Sequence, residues 1–272
     1  MKTLYVSDLD KTLLRSSQTT SEFTNSVINQ LVSDGMIFSF ASARSYVTMK
    51  KVAAGIDVRI PLIVYNGVFI VENGTGRILM SNSLPDAEKT VADLTENEIY
   101  PIVYSYIDGE EKFSYILDRS SVPLREFLNT RKDDVRNNPI NSVPDYYKGN
   151  PFYITCIDDE EKLRPFYEKY KSKYNCVFQR DSYSNEQWLE ILPACASKAN
   201  AALKLKYMLG CDKLVVFGDG INDIEMFRVA DECYAVENAV DELKDIATGI
   251  IGCNDDDSVA KWLLDNYYEK KN

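Results

Sequence analysis

Residues 4–14 read Leu4-Tyr5-Val6-Ser7-Asp8-Leu9-Asp10-Lys11-Thr12-Leu13-Leu14, and the way this stretch ends decides the fold. A short apolar run, Leu4 to Val6, has the length and composition of a buried strand and stops in Asp8, Asp10 and Thr12. In an open sheet covered by helices, ligands bind in the crevice beyond the carboxyl ends of the strands. The acids therefore stand where chemistry is expected. Taken alone, Asp-x-Asp at a strand mouth is also compatible with a turn carrying helix-capping aspartates.

Working outward, polar groups recur at strand ends. Ser21 is placed to cap a helix bearing Phe23, Val27, Ile28 and Leu31 on one face. A second strand, Met36 to Ala41, ends in Ser42-Ala43-Arg44, and a third, Leu62 to Tyr65, ends in Asn66-Gly67. A cap, a surface charge and a turn would account for these residues one at a time. Val68 to Val71, the turn Asn73-Gly74-Thr75-Gly76 and Arg77 to Met80 predict a hairpin at the sheet edge. Ser197 caps a further helix with Lys198 in its first turn, where a cation opposes the helix dipole and is either offset by an anion or simply solvated. Leu214 to Phe217 then run into Gly218-Asp219-Gly220-Ile221-Asn222-Asp223, a glycine-rich turn with two acids four residues apart. Strand Cys233 to Val236, Asn238-Ala239, a helix over Val240 to Ala247 and a last helix capped by Ser258 complete this alternation.

Between these halves the rhythm changes. Helices near Asp86 to Thr95, Val122 to Thr130 and Glu160 to Tyr174 are interspersed with strands at Ile102 to Ile107, Lys112 to Leu117, Phe152 to Ile157, Cys176 to Gln179 and Gln187 to Leu192. Lys132 to Gly149 reads as a polar connection. The expected architecture is α/β: a doubly wound, mostly parallel, Rossmann-like sheet core formed by residues 1–83 and 194–272, with an inserted α+β domain over 84–193. In the last strand of the insert Leu189 and Ile191 share one face, the natural core side. Trp188 and Glu190 share the other and are candidates to contact substrate, with packing as the alternative for the indole.

Composition narrows the chemistry. The chain has 272 residues, no histidine and a net charge of −11. Without imidazole there is no Ser-His-Asp triad and no His-ligated zinc, so acid–base work falls to carboxylates, Lys, Tyr or Cys. The acidic balance argues against nucleic acid or an anionic membrane as partner. No apolar stretch approaches the ~18 residues of a membrane span, and no leader pattern is present, so a cytoplasmic location is expected. Six cysteines spaced 16 to 22 residues apart fit reduced structural thiols. If the polar strand ends converge, their carboxylates need compensation, because two like charges ~4 Å apart repel by about 4 kcal/mol at an effective dielectric near 20. Hard oxygen donors and a phosphate oxygen suit Mg²⁺ better than Zn²⁺ or a dedicated Ca²⁺ loop.

Asp8-Leu9-Asp10-Lys11-Thr12, Ser42, Lys198 and Gly218-Asp219-Gly220-Ile221-Asn222-Asp223 resemble, in order, the four motifs of the haloacid dehalogenase superfamily of phosphotransferases. The large insertion, with Asn66-Gly67 and Asn238-Ala239, resembles its Cof-type sugar-phosphatase-like branch with an α/β cap domain. The chain departs at Lys11, Ala43 and Ser258, where the branch usually has Gly, and at Ser42, where Thr is commoner. The resemblance implies a Mg²⁺-dependent phosphatase acting on a small phosphate ester, a sugar phosphate above all, through an aspartyl-phosphate. It makes Asp8 the nucleophile, Asp10 the acid and base, and Ser42 and Lys198 the holders of the phosphoryl oxygens. It gives Mg²⁺ to Asp8, the Asp10 carbonyl and Asp219, with Asp223 and Asn222 in or beside that shell. Thr12, Arg44, Asn66 and Asn238 become loop-ordering or substrate groups. A phosphomutase or other phosphotransferase of the superfamily is the nearest alternative. A non-catalytic phosphoacceptor fits less well, having no need of a second Asp two places on. A monomer or weak homo-oligomer is expected.

Overall fold

The computed structural model describes residues 1–181 and 184–271. Its organising strand is β1 (Thr3–Ser7), whose Leu4, Tyr5 and Val6 are buried. β1 lies in the middle of a parallel sheet, paired on one side with β2 (Ile37–Phe40) and on the other with β12 (Lys213–Gly218). Beyond β12 follow β13 (Glu232–Ala235) and β14 (Gly249–Ile250), giving the order β14-β13-β12-β1-β2. Strands buried on both faces need near-continuous apolar runs, and Leu214 to Phe217 supply one beside Leu4 to Val6. The chain winds away from β1 in one direction and returns beyond it in the other. The order thus reverses between β1 and β12, and a crevice opens outside their carboxyl ends.

Helices flank this sheet. α1 (Glu22–Ser33) starts where the Ser21 hydroxyl accepts from the Thr24 amide, and it buries Val27, Ile28 and Leu31. α2 (Tyr46–Val52) and α6 (Lys198–Met208) start in the same way, at Ser45 and Ser197. α7 (Ile224–Val229), α8 (Asp241–Lys244) and α9 (Ser258–Lys271) complete the set. Ser258 is the first residue of α9 rather than its cap; the preceding Asp257 has a left-handed backbone, and its carboxylate accepts from Arg15, Ser21 and Thr24. β3 (Leu62–Val64) is joined to the parallel order by one bridge, Ala41 to Ile63. It also pairs antiparallel with β4 (Phe69–Val71), which pairs with β5 (Ile78–Ser81). The expected edge hairpin is therefore part of a three-stranded sheet.

Residues Met1–Ser81 and Ala196–Asn272 form this unit, and Asn82–Cys195 form a second. The second unit contains α3 (Ala87–Glu96), β6 (Ile102–Ile107), β7 (Glu110–Tyr115), α4 (Val122–Asn129) and β8 (Asn137–Pro139). It continues with β9 (Asn150–Ile157), α5 (Glu160–Tyr170), β10 (Asn175–Arg180) and β11 (Gln187–Leu192). The sheet order is β10-β11-β9-β6-β7-β8, antiparallel except for β7 and β8. One cluster, with Val91, Leu94, Ile154, Leu163, Leu189 and Ile191, brings α3 and α5 onto the sheet; a second, with Ile102, Phe113, Leu124, Leu128 and Ile157, does the same for α4. The alternation in β11 thus places Leu189 and Ile191 in the first cluster. The stretch expected to be a connection, 132–149, contains β8 and a turn of 3₁₀ helix, Val143–Tyr147, that buries Tyr146. All six cysteines are free thiols, and no helix among the described residues is long and apolar enough to cross a membrane.

Candidate active site

Asp8 is buried directly beyond β1, where its amide donates to the Phe217 carbonyl at 2.9 Å and so ties it to β12. The chain then makes a tight loop closed by the Leu14 amide on the Leu9 carbonyl at 2.8 Å. Inside it Asp10 is extended and Lys11 is left-handed, with φ of 54°. The position where glycine is usual in the resembling branch thus has a glycine-like backbone although a lysine occupies it. The reversal separates two carboxylates that would otherwise compete. Asp8 faces the interior, and Asp10 faces Arg44, which donates from Nε at 2.8 Å and from Nη2 at 2.6 Å.

Lys198, the first residue of α6, is buried with its Nζ 2.6 Å from Asp8 Oδ1 and 2.7 Å from Asp223 Oδ1. The anions that a lysine at a helix N-terminus calls for are these two carboxylates. The other oxygen of Asp223 accepts from the amides of Asp219 and Gly220, each at 3.1 Å. Gly218 permits this closure, because a Cβ there would lie 2.7 Å from Asp223 Oδ2. Thr12 Oγ1 donates to Asp219 Oδ1 at 3.0 Å, which joins the loop after β1 to the loop after β12.

Asp8, Asp219 and Asp223 each offer an oxygen within 4.8 Å of the others. Three carboxylates against one ammonium leave two negative charges in a largely desolvated place. Burial pushes the Asp8 carboxyl well above the usual carboxylate range; Lys198 draws it down, while Asp223, Asp219 and Asp10 push it further up. Burial and Asp223 push Asp219 up to about 7. Burial favours the neutral amine of Lys198, but Asp223 and Asp8 outweigh it and raise its pKa. With all-oxygen donors and a charge deficit of two, the residues fit a hard divalent cation such as Mg²⁺. Asp8 and Asp219 are the better placed ligands, since both Asp223 oxygens already have protein partners. The Asp10 carboxylate, paired with Arg44, stands outside this group.

The remaining strand ends meet here too. Ser42 is fully buried and its Oγ accepts from the Arg44 amide at 3.1 Å. Asn222 Nδ2 donates to Asn66 Oδ1 at 3.1 Å, linking the loops after β12 and β3. Asn66, like Lys11, is left-handed, a conformation that suits asparagine. Gly67 follows with φ of 89° and supports α6: a Cβ on it would lie 2.2 Å from the Ser197 carbonyl oxygen. The Asn-Gly pair is a brace under Lys198 as well as a turn.

Three expected substrate groups have other surroundings. Both ends of the Asn238 carboxamide go to the protein: Nδ2 donates to the Lys11 carbonyl at 2.8 Å, and Oδ1 accepts from the Asn254 amide at 3.0 Å. Trp188 belongs to the second unit, edge-on to Phe127 at 4.9 Å against the cluster under α4. Glu190 is buried in that unit and accepts from the Tyr153 hydroxyl at 2.7 Å. Asn254 carries no signal in its sequence, the run Asn254-Asp-Asp-Asp257 before a helix, yet its Nδ2 donates to the Leu14 carbonyl at 2.9 Å.

The haloacid dehalogenase-like hydrolase family model matches residues 5–263. The chain is 31% identical to the 5-amino-6-(5-phospho-D-ribitylamino)uracil phosphatase YwtE of Bacillus subtilis, over 94% of this chain and 95% of that protein. It is 25% identical to YitU of the same organism, which carries the same description, with 96% of each chain covered. Among solved structures, a haloacid dehalogenase-like hydrolase from B. subtilis superposes with a TM-score of 0.79 at 22% identity, covering 97% of this chain and 99% of that one. The HAD subclass IIB sugar phosphatase BT4131 gives 0.76 at 17% identity, covering 97% and 98%. Sequence, fold and relatives agree that the chain belongs to the haloacid dehalogenase-like hydrolases, as a phosphatase of the Cof-type branch.

Proposed function

We propose that the protein is a Mg²⁺-dependent phosphatase that hydrolyses the phosphate ester of a small sugar or sugar alcohol through an aspartyl-phosphate on Asp8. The observation that carries this reading is the buried Asp8–Lys198–Asp223 bridge beside Asp219, with a second, separately held carboxylate on Asp10 two residues away. Lys198 holds one oxygen of Asp8 and so fixes the orientation of its carboxylate. Attack by Asp8 on phosphorus forms the Asp8–phosphorus bond and breaks the bond to the leaving oxygen, which takes a proton from Asp10. Water then gives a proton back to Asp10 and attacks phosphorus, releasing inorganic phosphate and restoring Asp8. For either transfer Asp10 must part from Arg44, and the freed guanidinium can bind the substrate's phosphate or hydroxyls. The Ser42 hydroxyl and the Lys198 ammonium hold the phosphoryl oxygens. Mg²⁺, when bound, would supply two positive charges that keep Asp8 ionised and offset the negative charges of the phosphate. Asp8 and Asp219, with the Asp10 carbonyl, would hold it, and Asp223 and Asn222 would steady that shell. Asn66 orients Asn222.

The substrate class is supported by the relative at 31% identity, whose name specifies a phosphoribityl ester. The test is release of inorganic phosphate from a panel that includes 5-amino-6-(5-phospho-D-ribitylamino)uracil, hexose phosphates and nucleotides, with Mg²⁺ and with EDTA. Turnover of polyol or sugar esters that needs Mg²⁺ and disappears in Asp8→Asn, together with the labelled phosphoenzyme, is the expected result. Full turnover in EDTA or in Asp8→Asn refutes the mechanism. Transfer to a second sugar without phosphate release would identify a phosphomutase, and a phosphoenzyme that persists would identify a phosphoacceptor.

A further inference from the structure

We infer that Asn238 is a positioning residue that acts on Asp10 through the backbone of Lys11. Asp10 and Lys11 are the two central residues of one turn, Asp10 extended with φ of −66° and Lys11 left-handed, so the conformation at Lys11 is part of what fixes the backbone from which Asp10 projects. Lys11 has φ of 54° and ψ of 13°, a region where the Cβ of an L-residue crowds its own backbone and glycine does not. The loop is closed at its ends by the Leu14 amide on the Leu9 carbonyl at 2.8 Å. From outside the loop, Asn238 Nδ2 donates to the Lys11 carbonyl at 2.8 Å, the group whose direction the left-handed turn sets.

The clamp is itself anchored. Asn238 Oδ1 accepts from the Asn254 amide at 3.0 Å, and Asn254 Nδ2 donates to the Leu14 carbonyl at 2.9 Å, at the far end of the same loop. Two residues after Asn238, the Val240 amide donates to the Asp219 carbonyl at 2.9 Å. The segment after β13 therefore holds the loop of the acid–base residue and the loop of Asp219 in one register. Asn238 bonds to the Lys11 carbonyl, the Asn254 amide and the Cys253 thiol, so its effect on the reaction is indirect.

The inference assumes the phosphatase reading for its kinetic arm alone. The decisive variant is Asn238→Asp, which keeps the shape and the acceptor for Asn254 but can no longer donate to Lys11. On an alkyl phosphate, whose leaving oxygen needs a proton from Asp10, kcat should fall roughly 10- to 100-fold, part of the ~10² to 10⁴ that general acid–base catalysis contributes. On a nitrophenyl phosphate, which leaves unprotonated, the fall should stay within about threefold, and KM should move little on either. Adding Lys11→Gly to Asn238→Asp should restore most of the lost kcat, because glycine enters the left-handed region unaided. Equal losses on the two esters, or no recovery with Lys11→Gly, would overturn the inference. Hydrogen exchange of the 9–14 amides supplies a reading that needs no turnover: faster exchange in Asn238→Asp is expected, and unchanged exchange refutes the clamp. If the wild type hydrolysed no ester, the functional reading would fail and the exchange result alone would decide the role of Asn238.

Discussion

Replacing Lys198 by methionine keeps an unbranched chain of similar length and removes the one ammonium between Asp8 and Asp223. The Lys198 side chain is 0% exposed and its partners are 7% and 0% exposed, so water cannot take its place cheaply. Breaking a buried pair by removing one partner costs about 3 to 5 kcal/mol. Direct repulsion agrees: carboxylate oxygens within 4.8 Å of one another at an effective dielectric of 20 repel by roughly 3.5 kcal/mol or more. At ~2 to 4 °C per kcal/mol for a unit of this size, melting in EDTA at pH 8 should drop by roughly 6 to 20 °C. The pH dependence has a definite sign. Burial already raises Asp8 in the wild type, and losing Lys198 removes the group that draws it down. A carboxylate whose folded pKa lies above its unfolded value binds a proton more tightly in the folded state, so it destabilises the fold above that range and ceases to do so as the pH falls. The loss in melting temperature should therefore shrink between pH 8 and pH 5, and added Mg²⁺ should recover stability at pH 8 without recovering turnover. A drop under about 2 °C, or an equal drop at both pH values, would refute the assignment of Lys198 as the counter-charge of this cluster.

Two further perturbations test the frame around the site. Gly67→Ala places a Cβ against the Ser197 carbonyl in a left-handed backbone, which should cost about 1 to 3 kcal/mol and lower turnover by displacing the start of α6; wild-type melting and kcat would show that Gly67 is not a brace. Glu190→Ala removes the carboxylate that accepts from Tyr153, and a loss of about 1 to 3 kcal/mol by thermal melting is expected, with turnover changed alike on all esters. A substrate-selective change at unaltered melting temperature would instead return Glu190 to substrate recognition.

What was legible from the sequence was the strand ends. Leu4 to Val6 and Leu214 to Phe217 are apolar runs that stop in acids, and the sheet rule sends such ends to one crevice. Ser21 and Ser197 are hydroxyl caps whose bonds span three residues, a distance that local pattern can read. Asn238 and Asn254 were not legible in their roles, because their partners Lys11 and Leu14 lie more than two hundred positions away and an amide carries no hint of what it binds. β8, with sequence Asn-Asn-Pro, has no strand propensity and exists because β7 supplies the hydrogen bonds. The helix expected over Val240 to Ala247 ends early, as α8, because Thr248 is drawn into pairing with Cys233 through both backbone and hydroxyl.

The central position of β1 also sets a schedule. Its neighbour β2 is synthesised within a few dozen residues, but β12 arrives about two hundred residues later, roughly 10 to 40 s at ribosomal rates of ~5 to 20 residues per second. Until then Asp8 lacks the Phe217 carbonyl, and one edge of an apolar strand stands unpaired. The inserted unit, Asn82–Cys195, is contiguous and emerges entirely within that interval. The nascent chain therefore carries Asp8 early and completes the cluster around it only once Asp219 and Asp223 have been made, which leaves β1 exposed to misassembly on the way.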